Sequence, residues 1–579
     1  MKIAAAAEKK MRSDLWKSIL RWTAVLIIAL LFTSCGQVPQ EGPSGGEPDP
    51  APEPEPIPDP EVTFSAPSGS YPDGLKLELS APKGCAVYYT TDCTLPDESA
   101  TPYTGPITLE GSGEGWLTDE TAAMLHPENI REIYATEELA DAWVIRAVAV
   151  REDGTCSPVV TKTYFTDPGL AEEAQGILTV SIVTEPDSLL SYEDGIMVTG
   201  RIFDEWAVKE GSSEIIETEN LWHQIVANYT QKGKEWERPA SMELFGEDGL
   251  PGAAEDCGLR IHGTASRMIP HRSLRLYFRK KYGSEYLNYD LFGDGITEYD
   301  VFVLRNGGNT GTDLIFKDSW QQDLLSGRRF VTSRYRMAQA FLNGEYWGNF
   351  CLLERYTVHD MQERFRVGDI LIVKDGEFED GNEDRMDLYE ELMSYQEKDL
   401  TDPAVWEAFR QIVDVEELAE YLAAEIYMAN YDFYQSKNDI LWRTVEADGS
   451  APYGDGKWHF ILYDTDFTSG LYGYNTRWNT DSLPLMTERS PLYAAVLENS
   501  EFRELFLEAV RSIGSEDLAA ERVNATLDEW AALWEPWMPK QWMRFEGTEE
   551  QWNGQIAVIR NFYTKRYDYI VPRLEALLG

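Results

Sequence analysis

The sequence predicts an α+β protein: a small β-sandwich followed by a large α+β domain. Three observations predict it. Short period-two runs separated by Gly, Pro and Asp fill residues 62–167. Further strand-like runs follow between Ile177 and Leu342. A 3.6-residue period then takes over, clearest in Val415, Leu418, Leu422, Ile426 and Ala429. The 579 residues are about twice what one hydrophobic core serves. With 18 Trp, 30 Tyr and 22 Phe, the chain has the apolar bulk to fill two cores.

The amino end reads as an export signal. Lys17 and Arg21 precede the apolar run Thr23–Thr33, which is short for a membrane span and suits the h-region of a secretory signal. Ser34-Cys35-Gly36 follows, and a cysteine in that place resembles the lipobox of bacterial lipoproteins. The resemblance implies a signal peptide over residues 1–35 and acylation of Cys35. It also implies a protein lipid-anchored to the bacterial cell membrane on its extracellular face, with membrane contact only through that anchor. Residues 36–61 are rich in Pro, Gly and Glu and contain no Lys or Arg, as expected of an extended, self-repelling tether.

Charge excludes a class of partner. With 100 acidic and 51 basic residues the formal charge is −49, so the chain repels nucleic acid and anionic membrane surfaces. The cysteine spacings form no zinc pattern. Cys85, Cys93 and Cys156 lie close enough in sequence for one disulfide, and Cys257 and Cys351 read as buried thiols.

In the small unit, Val62–Ser65, Leu75–Leu79, Ala86–Thr90 and Val144–Val150 read as strands. The segment from Gly111 to Asp141 reads as a partly helical insertion bulging from one end. Phe64-Ser65, Gly69-Ser70-Tyr71, Val87–Asp92, Tyr103–Ile107 and Ile145–Ala149 together resemble the chitobiase/β-hexosaminidase C-terminal type domain. The unit carries no paired carboxylates for glycoside hydrolysis. Binding or spacing is therefore its expected duty, with carbohydrate contact through its tyrosines as one option.

The large domain is expected over residues 176–579. Ile177–Val183, Gly195–Gly200, Cys257–Gly263, Leu274–Phe278, Phe302–Leu304 and Arg336–Leu342 read as strands. The helix Val415–Tyr431 and the strand Trp458–Leu462 follow, and helices carrying Trp530, Trp534, Trp537, Trp542 and Trp552 close the chain. Those tryptophans are expected in the core.

Four constellations carry chemistry. Arg260, Arg267, Arg272 and Arg275 crowd into sixteen residues around the turn Gly263–Ser266, a pattern suited to phosphate oxygens. Asn343-Gly344 reads as a tight hairpin, and Glu354 lies in the apolar strand after it, where a carboxylate needs a partner. Asp432 and Asn438 lie six residues apart across a turn at a helix end. An apolar strand ends in Asp464-Thr465-Asp466, two carboxylates that repel unless protonated or bridged by a cation, for which Mg²⁺ is the simplest candidate.

Taken in order, Arg260-x-x-Gly263-x-x-Ser266-Arg267, Leu304-Arg305-Asn306, Asn343-Gly-Glu-Tyr-x-Gly348, Glu354, Asp432 with Asn438, and Asp464-x-Asp466 resemble the CotH (spore coat protein H) kinase family. The resemblance implies an atypical protein-kinase-like fold that transfers the γ-phosphoryl of ATP to serine or threonine of an exported or surface protein, with Mg²⁺ or Mn²⁺. It implies Asp432 as the catalytic aspartate, Asn438, Asp464 and Asp466 at the metal, and Arg260, Arg267 and Arg305 on the phosphate side. Glu354 would orient a basic partner. Two positions depart from the family pattern. His271-Arg272 stands where lysines are usual, and Lys437 stands where a second Asn is common. The other reading is a non-catalytic surface binding or scaffold protein that keeps the fold.

Overall fold

Seven strands close into a barrel in the order Leu178–Thr184, Arg238–Phe245, Pro251–Ile261, Leu274–Tyr277, Val301–Arg305, Glu345–Glu354 and Tyr335–Leu342. All neighbours are antiparallel except the closing pair, where Leu178–Thr184 runs parallel to Tyr335–Leu342. These coordinates come from a computed structural model that describes residues 60–126, 133–136, 138–166, 176–210, 224–311, 313–450, 452–473 and 475–579. The signal segment with Cys35 and all but the end of the tether lie outside the described residues.

Strand alternation fills the barrel. Val180, Ile182, Met242, Leu244, Leu259, Leu274, Leu276, Phe302, Leu304, Ala340 and Leu352 point inward and form one buried core. The outward set differs in character, with Arg260, Arg275 and Arg305 on that face. The Asn343-Gly344 hairpin forms as expected. Both residues take positive φ, 51° and 85°, the pair of conformations a two-residue loop of this hand needs.

The segment Gly195–Gly200, expected as a strand, is a bend. Ile196 and Met197 donate to Ser188 O and Leu189 O, and the apolar run Ile196–Val198 joins the barrel core instead of a sheet. The Gly111–Asp141 insertion also departs from expectation. It does not bulge outward: Leu117, Ala122, Leu125 and Ile133 are buried in the same core as the barrel strands. Trp116 stacks on Trp347 at 5.3 Å and its indole N–H donates to Leu342 O at 2.7 Å. Left in water, those apolar side chains would expose several hundred Å².

The remainder of the small unit is a five-stranded sheet, whose longest members are Cys85–Thr90, Trp143–Arg151 and Val160–Phe165, with two short strand pairs. Leu77, Leu79 and Leu109 of the pairs meet Val87, Ile145, Ala147 and Tyr164 of the sheet in one core. Residues 59–579 form a single compact unit. Cys85, Cys93 and Cys156 are free thiols, so the disulfide considered for them is not formed.

Beyond the barrel lies a four-stranded antiparallel sheet, ordered Glu377–Gly381, Ile370–Lys374, Ile440–Thr444, His459–Ile461. The largest core joins this sheet to the helices Lys317–Leu324, Val415–Met428, Ser500–Ser512, Ala520–Trp534 and Glu549–Leu578. Trp530, Trp534 and Trp552 are buried in it and Trp542 packs against it half-buried, whereas Trp537, also expected in the core, is half-buried and lies outside the cluster. The Val415–Met428 helix starts on Asp414, which accepts from Glu417 N–H, and ends at Ala429 in the left-handed region. That reversal ends the helix before Tyr431.

Candidate active site

Arg305 organises the site, and strand register puts it there. Arg260 pairs across from Arg275, Arg275 from Val303, and Arg305 lies two residues on from Val303. All four therefore share the outer face of the barrel. The Arg305 guanidinium donates to Asp464 Oδ1 and to Asp466 Oδ2, each at 2.8 Å, and its Nε lies 3.3 Å from Asp318 Oδ2. Burial opposes its charge, yet Asp464, Asp318 and Asp466 together hold it well above the ordinary value.

The two carboxylates of Asp464-x-Asp466 are not equivalent. Asp466 is buried and saturated: Oδ1 accepts from Asn309 Nδ2 at 2.9 Å, and Oδ2 accepts from Asn309 N–H at 2.9 Å as well as from Arg305. Burial and the neighbouring Asp464 push its carboxyl up to about 7, with Arg305 and Asn309 opposing. Gly308 permits this packing, because a Cβ there would strike Asp466 and Arg305. The Asp464 side chain is one quarter exposed, and among the described residues its second oxygen takes no hydrogen bond. Its φ of 59° is unusual for aspartate and turns the chain sharply at the strand end.

Beneath them, the Asp466–Ser469 loop is fixed by buried groups. Lys317 Nζ donates to Asp466 O and Thr468 O at 2.9 and 2.7 Å. Burial pushes this ammonium down to about 7, against the pull of Asp466 and Asp318. Gln321 holds Thr465 O, Thr468, Ser469 and Tyr563.

The turn after the Val415–Met428 helix meets this loop directly. Tyr431 N–H donates to Phe467 O at 3.2 Å, Ser469 N–H to Met428 O at 3.0 Å, and the Tyr431 and Phe467 rings lie 5.2 Å apart. Asp432 and Asn438 are thereby carried beside the Asp464 loop. Asn438 Nδ2 lies 3.4 Å from Asp432 O, and Lys437 Nζ lies 2.8 Å from Asp432 Oδ1. Asn438 has a φ of 56°, so the turn presents its side chain from the left-handed region.

The arginine-rich motif divides between site and scaffold. Arg275 Nη2 contacts His262 Nδ1, while Arg260 binds Glu237 and stacks over Tyr277 at 4.4 Å. Arg267 is buried, donating to Gly263 O and Gln231 O at 2.6 Å. Arg272 does not reach the site. It is fully buried, donates to Arg267 O, Met197 O and Leu125 O, and stacks on Tyr229 at 4.0 Å. His271 is buried too, between Phe350 and Phe545, and burial lowers its imidazole to about 3. Ser273 and Asn306 bond each other and brace the two motifs. Glu354 lies on the inner-facing register of its strand, opposite Phe302, and is held by Arg334 and Arg364 at 2.7–2.8 Å.

Several residues that face the site carried no local motif. Lys374, at the end of its strand, stands over the Tyr463 ring at 3.9 Å. The charge of Lys374, with Arg355 next, holds the Tyr463 phenol below its usual value. Burial, then Arg275, Arg355, Arg305 and Lys374, keeps His262 well below its usual value and so neutral. Lys374, Arg355 and Arg305 thus surround Tyr463, the residue before Asp464, with Arg355 itself paired to Glu379. Glu425 is also new. It is fully buried, and burial pushes its carboxyl well up, with the Asn430 side chain opposing and Asp439, Asp318 and Asp464 adding to the shift.

Elsewhere, Asp414, Glu417 and His459 bring ligand atoms within 4.8 Å of one another, a potential metal-coordinating cluster. Its imidazole is already engaged on both sides, Nδ1 with Glu417 at 2.7 Å and Nε2 with Asp455 at 3.1 Å. Against the cost of burial, those carboxylates raise it to about 9.

No curated protein matches the chain at a significant level. The Fn3 associated family model matches residues 75–164, in the unit expected to resemble a chitobiase/β-hexosaminidase C-terminal type domain, a resemblance that no family match supports. The CotH kinase protein family model matches residues 259–570, from the Arg260 strand to the closing helix. That match covers more than half of the sequence and takes in every member of the site; the chain belongs to the CotH kinase family.

Proposed function

We propose that the protein is an atypical, metal-dependent protein kinase that moves the γ-phosphoryl of ATP to serine or threonine of an exported or cell-surface protein. One observation carries the reading: Tyr431, the residue before Asp432, donates its N–H to Phe467 O of the Asp464–Ser469 loop, and Asp464 in that loop is held by Arg305. In this reading Asp432 takes the proton of the acceptor hydroxyl. Asn438 and Asp464 hold Mg²⁺ or Mn²⁺. Of the two loop carboxylates, Asp464 has the free oxygen, while Asp466 anchors Arg305. A bound divalent cation would supply charge neutralisation for the phosphates, and these donors are the hard oxygens it requires. Arg305, Arg267 and Arg260 face the phosphates in this reading, joined by Arg275, Arg355 and Lys374. The burial of His271 and Arg272 means that their departure from the family's lysines removes no cation from this face.

The export reading comes from the Cys35 signal, with the tether holding the domain outside the bacterial membrane. Among the described residues no helix is long and apolar enough to cross a membrane. The Fn3-associated unit would serve as a surface contact, with carbohydrate as one candidate ligand.

Calorimetry of the protein with ATP and Mg²⁺ or Mn²⁺ tests the proposal. Metal-dependent binding that disappears in Asp464→Ala is expected, followed by transfer to a serine peptide that disappears in Asp432→Ala. Absence of ATP binding by the folded protein with either metal would refute it. A non-catalytic scaffold is the second reading. The observation that favours it is that Arg305 pairs with both Asp464 and Asp466, occupying one oxygen of each.

A further inference from the structure

Nearly every guanidinium in the helical part of this acidic chain is paired with a carboxylate or buried on backbone carbonyls. Arg489 is neither. It is exposed, ends the helix Leu483–Arg489, and has no carboxylate partner among the described residues. What holds it is aromatic: its guanidinium lies 5.0 Å from the Tyr434 ring centroid and 5.8 Å from that of Tyr431. Those two tyrosines flank Asp432 in sequence.

The placement is rigidly supported. Gln435 N–H donates to Ser490 Oγ at 2.9 Å, and Leu492 N–H to Gln435 Oε1 at 3.2 Å. Tyr434 and Lys437 exchange backbone hydrogen bonds of 3.1 and 2.7 Å. The strap that carries Arg489 is therefore fastened to the turn that carries Asp432. Phe467 and the exposed Tyr472 continue the row, with ring centroids 5.2 Å apart. The cations of the barrel and of the Lys374 strand lie on the Asp464 side, whereas Arg489 stands on the Asp432 side. On this lip Lys437 is already paired with Asp432, whereas the Arg489 guanidinium has no carboxylate partner among the described residues.

We propose that Arg489 determines acceptor specificity, reading a carboxylate near the acceptor hydroxyl, so that the preferred acceptor is an acidic segment of a protein. The inference rests on the kinase reading of the same site. A guanidinium braced by stacking loses little rotamer freedom on pairing and offers its planar fork to a carboxylate. Glu488 and Asp432 are the acidic groups nearest in sequence to this lip, and neither pairs with Arg489.

Three serine peptides, identical but for flanking glutamates, glutamines or lysines, test it on the full-length protein by fluorescence anisotropy, a readout that needs no transfer. The glutamate peptide is expected to bind about tenfold more tightly than the glutamine peptide, the lysine peptide more weakly than either. Arg489→Ala should abolish the difference and Arg489→Glu reverse it, with the affinity for ATP and Mg²⁺ unchanged in both. Where transfer is measured, the loss should fall on the KM for peptide and leave the KM for ATP. Equal binding of the three peptides overturns the proposal. So does an Arg489→Glu protein that keeps the glutamate preference, or one whose ATP affinity falls in parallel. Failure of the wild-type protein to bind ATP would instead count against the kinase reading, and the peptide ranking would still decide the role of Arg489.

Discussion

Asp464 and Asp466 differ in what their oxygens touch, and the difference is measurable. Asp466→Ala removes the buried partner of Arg305 and both Asn309 contacts. It should cost about 3 kcal/mol of stability, read as a lowered urea midpoint. Asp464→Ala, at a part-exposed position, should leave the midpoint within about 1 kcal/mol of wild type while metal-dependent ATP binding is lost. A second residue-scale expectation concerns His459. Its raised pKa means that the folded state binds a proton the unfolded state releases near pH 6.5. The stabilisation is complete below about pH 6.5 and declines as pH rises through about 9, on the order of a few kcal/mol in all. Denaturant midpoints for the wild type should fall across that window, and His459→Gln should flatten the slope.

At the scale of elements, the Asn343-Gly344 hairpin is the clearest case of local sequence specifying structure. Gly344 has a φ of 85°, and a Cβ there would lie 2.6 Å from Ala142 O. Gly344→Ala should therefore cost 1 kcal/mol or more, by about the usual left-handed penalty plus that clash, seen as a lowered thermal midpoint. The Val415–Met428 helix was equally legible, from its Asp414 cap to its apolar stripe. Its end was not, because Tyr431 reads as a good helix neighbour and only the bond to Phe467 shows why the chain reverses. The run Gly195–Gly200 was misleading for a related reason. An apolar stretch bounded by glycines suits a buried strand or a barrel plug alike, and periodicity cannot separate them.

For the whole molecule, the insertion within the small β unit has the largest consequence. Because Leu117, Leu125 and Ile133 lie in the barrel core, and Arg272 donates to Leu125 O, the segment is part of the large domain's interior. Asp141 and Glu345 crowd together there beside Arg544, and burial pushes Asp141 up to about 7. Deleting residues 111–141 should yield a protein that is insoluble or cleaved rapidly by trypsin in limited proteolysis. A deletion product as resistant as the intact chain would show the barrel to be self-sufficient.

The sequence by itself determined the α+β class, the helical tail with its buried tryptophans, the tight hairpin and the two acidic loops of the site. Each is written in residues a few positions apart, where periodicity, turn chemistry and charge repulsion act without help from the rest of the chain. The tertiary structure alone decided the closure of the barrel, the gathering of Lys374, Arg355 and Arg305 around Tyr463, and the separation of Arg272, His271 and Glu354 from them. Register between distant strands chooses the face on which a side chain emerges, and a slip of one residue would exchange the two sets. No window along the chain contains that information, since the pairing partners are tens to hundreds of residues apart.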